Sequence, residues 1–166
     1  LSRFSGNWVG FTALSEVVAS GSTVDLDETN ARVALWKDAD EVARATGFVA
    51  PADGLHYRWP DLPSLKIEAR LHAKLDAVRA FAKVNAIDRD VVTAKRASVG
   101  IVTCGKAHFD LLEVFRRLDI PLDALAAAGV RIHKIGLAYP VEPTRLDAFA
   151  DGLDEILVVE EKAGLV

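Results

Sequence analysis

The spacing of apolar residues changes along the chain, and the change falls near residue 96. Before it, apolar segments are separated by long polar stretches. The clearest of these segments runs from Ile67 to Ala82, where apolar residues recur at helical spacing and predict a long helix. We expect its basic side chains to form the outer, solvated face; these are Lys66, Arg70, Lys74, Arg79 and Lys83. The rest of residues 1–96 is interpreted as a helical and extended connector, with a linker at 85–89.

After residue 96 the pattern becomes a close alternation of strand-like and helix-like segments. The apolar runs predict strands at 98–103, 130–136 and 156–160, and the amphipathic stretches between them predict helices at 107–118 and 144–152. Strand, helix, strand, helix, strand with short connections is typical of a parallel sheet covered by helices. The predicted fold class is therefore α/β, a three-layer, mainly parallel sheet flanked by helices. Its helices should bury Leu112, Phe115, Leu146 and Phe149.

Composition narrows the class of protein. The chain has 166 residues, 51% of them apolar, and a formal net charge of −4. Its 20 basic residues are spread along the chain, which argues against a nucleic-acid partner, and no apolar run is long enough for a membrane span. A single cysteine excludes an internal disulfide framework and the four thiolates of an iron–sulfur cluster. We expect a cytoplasmic protein, and the absence of methionine indicates a piece of a larger one.

The segment Gly100 to Lys106 matches the first seven positions of a phosphate-binding P-loop. The eighth position, which should supply a hydroxyl to magnesium, is Ala107. In addition, Ile101 and Val102 fit the core of a strand better than a loop. A stand-alone α/β protein that binds a nucleotide or a phosphate ligand therefore remains the alternative hypothesis.

Polar and turn residues follow each of the three predicted strands. In a parallel sheet the segments after the strands emerge at the same edge, where open α/β sheets present their ligand crevice. Each residue also has a plain interpretation, as a turn glycine or a solvated strand end. This candidate ligand or interdomain edge consists of Thr103, Gly105, Lys106, Tyr139, Pro140, Glu160 and Glu161.

Two further patterns carry possible chemistry. Cys104 precedes a helix, a position that can lower the pKa of a thiol, and His108 lies one turn further along as a possible base. A buried or inert cysteine is the preferred interpretation of Cys104, because a free cysteine usually behaves as a small hydrophobic residue. Glu68 and His72 have helical spacing but are too few ligands for zinc. We therefore assign neither a catalytic residue nor a metal site.

Several stretches of the sequence are similar to one known family. The stretches 100–110, 135–143 and 156–162 resemble the indolepyruvate ferredoxin oxidoreductases, in particular the large fused bacterial form. Four upstream stretches resemble the same family in the same order, namely 7–11, 22–27, 57–61 and 85–89. The resemblance therefore extends over nearly the whole chain.

The resemblance implies a domain organisation. Residues 97–166 would be an α/β domain like the transketolase C-terminal domain, possibly truncated, and residues 1–96 the connector and tail of a preceding thiamine-binding domain. The family decarboxylates aryl 2-oxoacids with thiamine diphosphate and magnesium. It passes electrons through iron–sulfur clusters to ferredoxin and transfers the acyl group to coenzyme A.

The cluster cysteines and the diphosphate-binding motif of the family are absent from this chain. The resemblance therefore implies a structural, interdomain fragment that holds no cofactor and has no activity alone. Its partners would be the other domains of the parent chain. Ferredoxin and coenzyme A would be partners through the full enzyme, which is expected to be a homo-oligomer.

Overall fold

The computed structural model describes all residues except 12, 14, 22, 24, 27–38, 62, 63, 86, 162, 163, 165 and 166. The chain divides into two compact units, Leu1–Asn85 and Ala86–Val166. The boundary predicted after residue 96 falls inside the second unit. That residues 1–96 serve as a connector to a thiamine-binding domain stays a prediction.

The first unit is helical. Its described elements are α1 (Ser2–Ser5), α2 (Ser15–Ala19), α3 (Ala39–Thr46), a 3₁₀ turn (Trp59–Asp61) and α4 (Lys66–Asn85). Helix α4 confirms the predicted long helix, and its second half is largely buried. There the ring of Phe81 lies 5.7 Å from that of Phe4, which anchors α1 on α4.

The prediction that all the basic residues of α4 are solvated is wrong at Arg70, which is only 5% exposed. Its guanidinium donates to Asp61 Oδ2 at 2.7 Å and to Asp53 Oδ2 at 2.7 Å. The segment before α4 therefore supplies two carboxylates, and paired charges can be buried where a lone cation cannot. Helical spacing alone gives no sign of these distant partners.

The second unit is an α/β domain. Its elements are β1 (Arg89–Val92), β2 (Val99–Cys104), α5 (Gly105–Arg117), α6 (Leu122–Ala127), β3 (Val130–Ile135), α7 (Pro143–Ala150) and β4 (Glu155–Val159). They form a four-stranded sheet in the order β1-β3-β2-β4. Strands β2, β3 and β4 are parallel, as predicted, whereas β1 runs antiparallel to β3.

Strand β1 was not predicted, because four residues following a helix give no period that separates a strand from a linker. In the structure Arg89 lies opposite Lys134, and Asp90 lies opposite His133. The segment predicted as a linker therefore ends in a strand at Arg89. This strand adds an antiparallel edge to an otherwise parallel sheet.

Helices cover both faces of the sheet, which confirms the three-layer α/β fold. On one face α5 and α6 pack over Ile101 and Ile132. On the other face α7 packs over Val102 and Ile135 through Phe149. Of the four side chains predicted to be buried, Phe149 is fully buried and Leu112, Phe115 and Leu146 are half-buried.

Gly100 explains how closely α7 approaches the sheet. A Cβ atom at this position would lie 2.5 Å from Leu153 Cδ1 and 2.9 Å from Phe149 Cε1. Only glycine leaves this space free in the middle of β2. The first glycine of the P-loop-like segment therefore serves packing.

Candidate functional site at the carboxyl edge of the sheet

The register of the parallel strands defines one edge of the sheet. Cys104 at the end of β2 pairs with Ile135 at the end of β3, and Thr103 pairs with Val159 at the end of β4. The segments that follow the three strands therefore leave the sheet side by side. We call this side the carboxyl edge; open α/β sheets bind their ligands there.

The predicted edge residues differ in accessibility. The side chains of Thr103 and Pro140 are buried. Tyr139, joined to Pro140 by a cis peptide bond, is 74% exposed. The other accessible residues are Gly105, Lys106, the half-buried Glu160 and Glu161. That they bind a ligand or another domain stays a prediction.

Gly105 and Lys106 begin helix α5. Gly105 has a φ of +53°, in the left-handed region that favours glycine, so it suits the turn from strand to helix. Lys106 donates to Asp110 at 2.6 Å, one helical turn further on. Both side chains are exposed, at 41% and 57%. Such a surface pair contributes little stability, so an anionic ligand can compete with Asp110 for the ammonium group.

The P-loop-like segment does not form a phosphate-binding loop. Gly100 to Thr103 lie within β2, paired with β3 on one side and β4 on the other. Their backbone groups therefore serve the sheet instead of converging on a phosphate. The geometry disfavours the stand-alone nucleotide-binding hypothesis.

Thr103 connects the sheet to α5. Its hydroxyl donates to the carbonyl oxygen of His133 at 3.3 Å and lies 2.9 Å from His108 Nδ1. Because a hydroxyl has one proton, the His108 Nδ1–H donates to Thr103 in this arrangement. Burial, followed by the charges of Lys134 and Arg89, lowers the pKa of His108 and so favours the neutral imidazole. No sequence pattern signals this bond, because it joins a strand residue to a helix residue.

The possible nucleophile–base pair of Cys104 and His108 is not supported. Cys104 packs on the face covered by α7, whereas His108 bonds to Thr103 on the face covered by α5. Burial, and then the charge of Glu160, raises the pKa of the Cys104 thiol. The lowering that a helix N-terminus can give is therefore not what we find for this thiol.

Sequence reasoning missed a cationic pair at the same edge. The register places Lys134 between Arg89 on β1 and Thr103 on β2. The Lys134 ammonium lies 5.0 Å from the centroid of the Phe109 ring. Burial, and then the charge of Arg89, lowers the pKa of Lys134. The two cations become neighbours only through β1, which the sequence did not reveal.

A histidine and a carboxylate meet on the opposite face. His133 is 1% exposed, and its Nδ1 lies 2.7 Å from Asp90 Oδ1. Its ring packs 5.1 Å from the ring of Phe149. Within the described part of the chain, His133 Nε2 is buried without a hydrogen-bond partner. The pair therefore ties β1 to β3 beneath α7.

Within the described part of the chain, the donor groups do not fit the metal cofactors that the resemblance implies. Among the described residues, no group of three or more His, Cys, Asp or Glu side chains could hold a metal ion. A single cysteine cannot ligate an iron–sulfur cluster of the usual kind.

In the described ranges no helix is both long and apolar enough to cross a bilayer.

The fold and the strand register together define an α/β domain whose three parallel strands end at one carboxyl edge. Comparison with known protein families gives a match for this part of the chain. Residues 89–166 match the family model of the indolepyruvate oxidoreductase domain. The match begins at Arg89, the first residue of β1. Residues 89–166 are thus similar to the indolepyruvate oxidoreductase domain, and over these residues the predicted resemblance to the 2-oxoacid ferredoxin oxidoreductases is confirmed.

The chain was also compared with curated proteins and with solved structures. No curated protein matches the chain. A solved structure of the 2-oxoglutarate:ferredoxin oxidoreductase from Magnetococcus marinus, with 2-oxoglutarate, coenzyme A and succinyl-CoA bound, is 23% identical with a TM-score of 0.44. The alignment covers 72% of this chain and 20% of that one, so the chain spans about a fifth of that enzyme.

Proposed function

We propose that this chain is a structural, interdomain part of an indolepyruvate ferredoxin oxidoreductase. The full enzyme would convert an aryl 2-oxoacid to its acyl-CoA and reduce ferredoxin. The observation that carries the proposal is the match of residues 89–166 to the indolepyruvate oxidoreductase domain. In this proposal the other domains of a cytoplasmic homo-oligomer hold thiamine diphosphate, magnesium and the iron–sulfur clusters.

The state of the polar groups at the carboxyl edge supports a structural role. The Thr103 hydroxyl contacts the His133 carbonyl oxygen and the His108 ring, and burial raises the pKa of the Cys104 thiol, which disfavours the reactive thiolate. A covalent catalyst needs an activated nucleophile with an adjacent base. Cys104 has no such base, and the Thr103 hydroxyl is buried and donates to a backbone carbonyl oxygen. We therefore propose that this unit supports an active site formed by other domains.

We further propose that the carboxyl edge faces that active site and that Lys106 contacts an anionic group of coenzyme A, such as a phosphate. The ammonium group is accessible, and its present partner Asp110 is itself exposed. Exchange of an exposed carboxylate for a phosphate costs little, because a surface ion pair is weak. Tyr139 and Glu161 would form the accessible surroundings of this contact.

Kinetics of the intact enzyme test this contact. Lys106→Ala should raise the apparent KM for coenzyme A about tenfold, the equivalent of about 1.4 kcal/mol, while leaving the KM for the 2-oxoacid unchanged. The matched control is Lys95→Ala, which removes an exposed lysine from the loop before β2, at the opposite end of the sheet. Unchanged coenzyme A kinetics in Lys106→Ala would show that Lys106 is only a solvated turn residue.

A further inference from the structure

Two cations lie side by side on the α5 face of the sheet at its carboxyl edge. Arg89 on β1 is paired in register with Lys134 on β3. Directly opposed residues of an antiparallel pair have Cβ atoms about 5 Å apart, and like charges in these positions destabilise the sheet. The structure therefore places two like charges where they repel each other.

No acidic side chain in the described ranges forms an ion pair with either cation. The nearby carboxylates have other partners. Asp90 lies on the opposite face with His133, and Asp88 Oδ1 accepts from the backbone N–H of Gly136 at 2.7 Å. Asp110 pairs with Lys106. The charge of the Arg89–Lys134 pair is thus left uncompensated by these groups.

The surroundings hold Lys134 in place and keep it partly dehydrated. Its ammonium lies over the ring of Phe109, and the side chain is half-buried. Arg89 is exposed, so its guanidinium can be reached from solvent. The pKa of the neighbouring His108 is lowered by burial and then by the charges of Lys134 and Arg89. Lys134 is restrained and Arg89 is accessible, so together they could bind a doubly charged anion.

We propose that Arg89 and Lys134 form a binding site for a phosphoryl dianion, either free phosphate or a phosphate ester. Arg89 offers the planar donor fork that matches phosphate oxygens, and Lys134 offers a point charge fixed by Phe109. One dianion would neutralise both cations and relieve their repulsion. The proposal is independent of the function proposed above, because it concerns residues other than Lys106 and needs only this chain.

Titration of the 166-residue chain with inorganic phosphate at constant ionic strength, followed by ¹H–¹⁵N NMR, tests the site. We expect saturable shifts centred on Arg89, Lys134 and Phe109, with weaker binding of acetate. Arg89→Gln and Lys134→Met should each weaken phosphate binding about tenfold, because each removes a charge-assisted contact. Arg89 is exposed, so its variant keeps the fold, which the spectrum itself verifies. The matched control Lys95→Met should change affinity less than about twofold.

A parallel titration with glycerol 3-phosphate separates the two sources of the phosphoryl group. Tighter binding of this compound than of inorganic phosphate supports a phosphate ester, and the reverse order supports free phosphate. The proposal is overturned by unsaturable shifts, by equal binding of acetate, or by an equal loss of affinity in Lys95→Met. Shifts centred on Lys106 instead of Arg89 and Lys134 would also overturn it.

Discussion

At the scale of single residues, buried polar groups connect β1 to the rest of the sheet. His133 is almost inaccessible, and its Nδ1 has Asp90 as its partner. Asp88, the residue before β1, accepts a hydrogen bond from the backbone N–H of Gly136 after β3. These contacts hold a strand that contributes only four residues to the sheet. Their loss should therefore be felt first at β1.

Asp90→Ala should destabilise the second unit by about 1–3 kcal/mol, because it leaves a buried imidazole without its hydrogen-bond partner. Hydrogen exchange of the β1 and β3 amides measures the loss directly. The control Asp147→Ala removes an exposed carboxylate from α7 and should stay within about 0.5 kcal/mol. Equal protection in the two variants would show that the Asp90–His133 contact contributes nothing.

Single residues also mark the limit of prediction from sequence. The position of Lys106 at the carboxyl edge follows from the strand–helix alternation, because parallel topology dictates where a strand ends. Arg70 and Lys134 could not be placed in this way. Arg70 is buried because it pairs with carboxylates that lie up to 17 positions away in the sequence. Lys134 becomes a neighbour of Arg89 only through the pairing of β1 with β3, and β1 was not predicted.

At the scale of elements, helix α7 can contact strand β2 because a phenylalanine of the helix lies against a glycine of the strand. Phe149 is 4% exposed and occupies the space that Gly100 leaves open. The strong apolar pattern after residue 96 predicted both elements and their order. The pattern could not show that Leu146 and Phe115 stay half-buried, since that depends on how far each helix extends over the sheet.

Phe149→Ala should cost about 3–5 kcal/mol, the usual range for truncation of a core phenylalanine. All three tryptophans lie in residues 1–85, so amide exchange in β2 is the suitable readout for the second unit. Leu118→Ala, at a side chain that is 62% exposed, is the control and should change stability by less than about 0.5 kcal/mol. Similar costs for the two variants would contradict the packing described for α7.

In the first unit, the ion pairs of Arg70 link α4 to the segment before it and make stability depend on pH. The guanidinium of Arg70, aided by Arg58, holds the pKa of Asp61 well below its ordinary value of 3.8. A carboxylate with a lowered pKa in the folded state stabilises the fold above its ordinary pKa. That contribution is lost as the pH falls from the ordinary value toward the folded one.

The free energy of unfolding of the first unit should therefore fall between about pH 5 and about pH 2, and Asp61→Asn should reduce that fall. Urea unfolding followed by tryptophan fluorescence reports on this unit alone. Asp76→Asn removes a carboxylate from an exposed pair with Arg79 and should retain the wild-type pH dependence. The same slope in wild type and Asp61→Asn would contradict a role for Asp61.

At the scale of the whole molecule, the structural and family boundaries agree. The second compact unit begins at residue 86, and the indolepyruvate oxidoreductase match begins at residue 89, where the sheet begins. The sequence placed this boundary about ten residues later, because β1 gives no periodic signal. The carboxyl edge of this unit carries accessible charged side chains. Helices pack on both faces of its sheet, and none of its described side chains is an activated nucleophile.

The orientation of this unit in the intact enzyme decides whether the carboxyl edge faces the active site. A structure of the full enzyme with coenzyme A bound should show Lys106 and Tyr139 facing the active-site cavity, with Lys106 in contact with an anionic group of the ligand. The opposite end of the sheet, marked by Lys95 and Gly129, should then face away. A structure in which that opposite end faces the cavity, or in which the carboxyl edge is exposed to bulk solvent, would contradict the account.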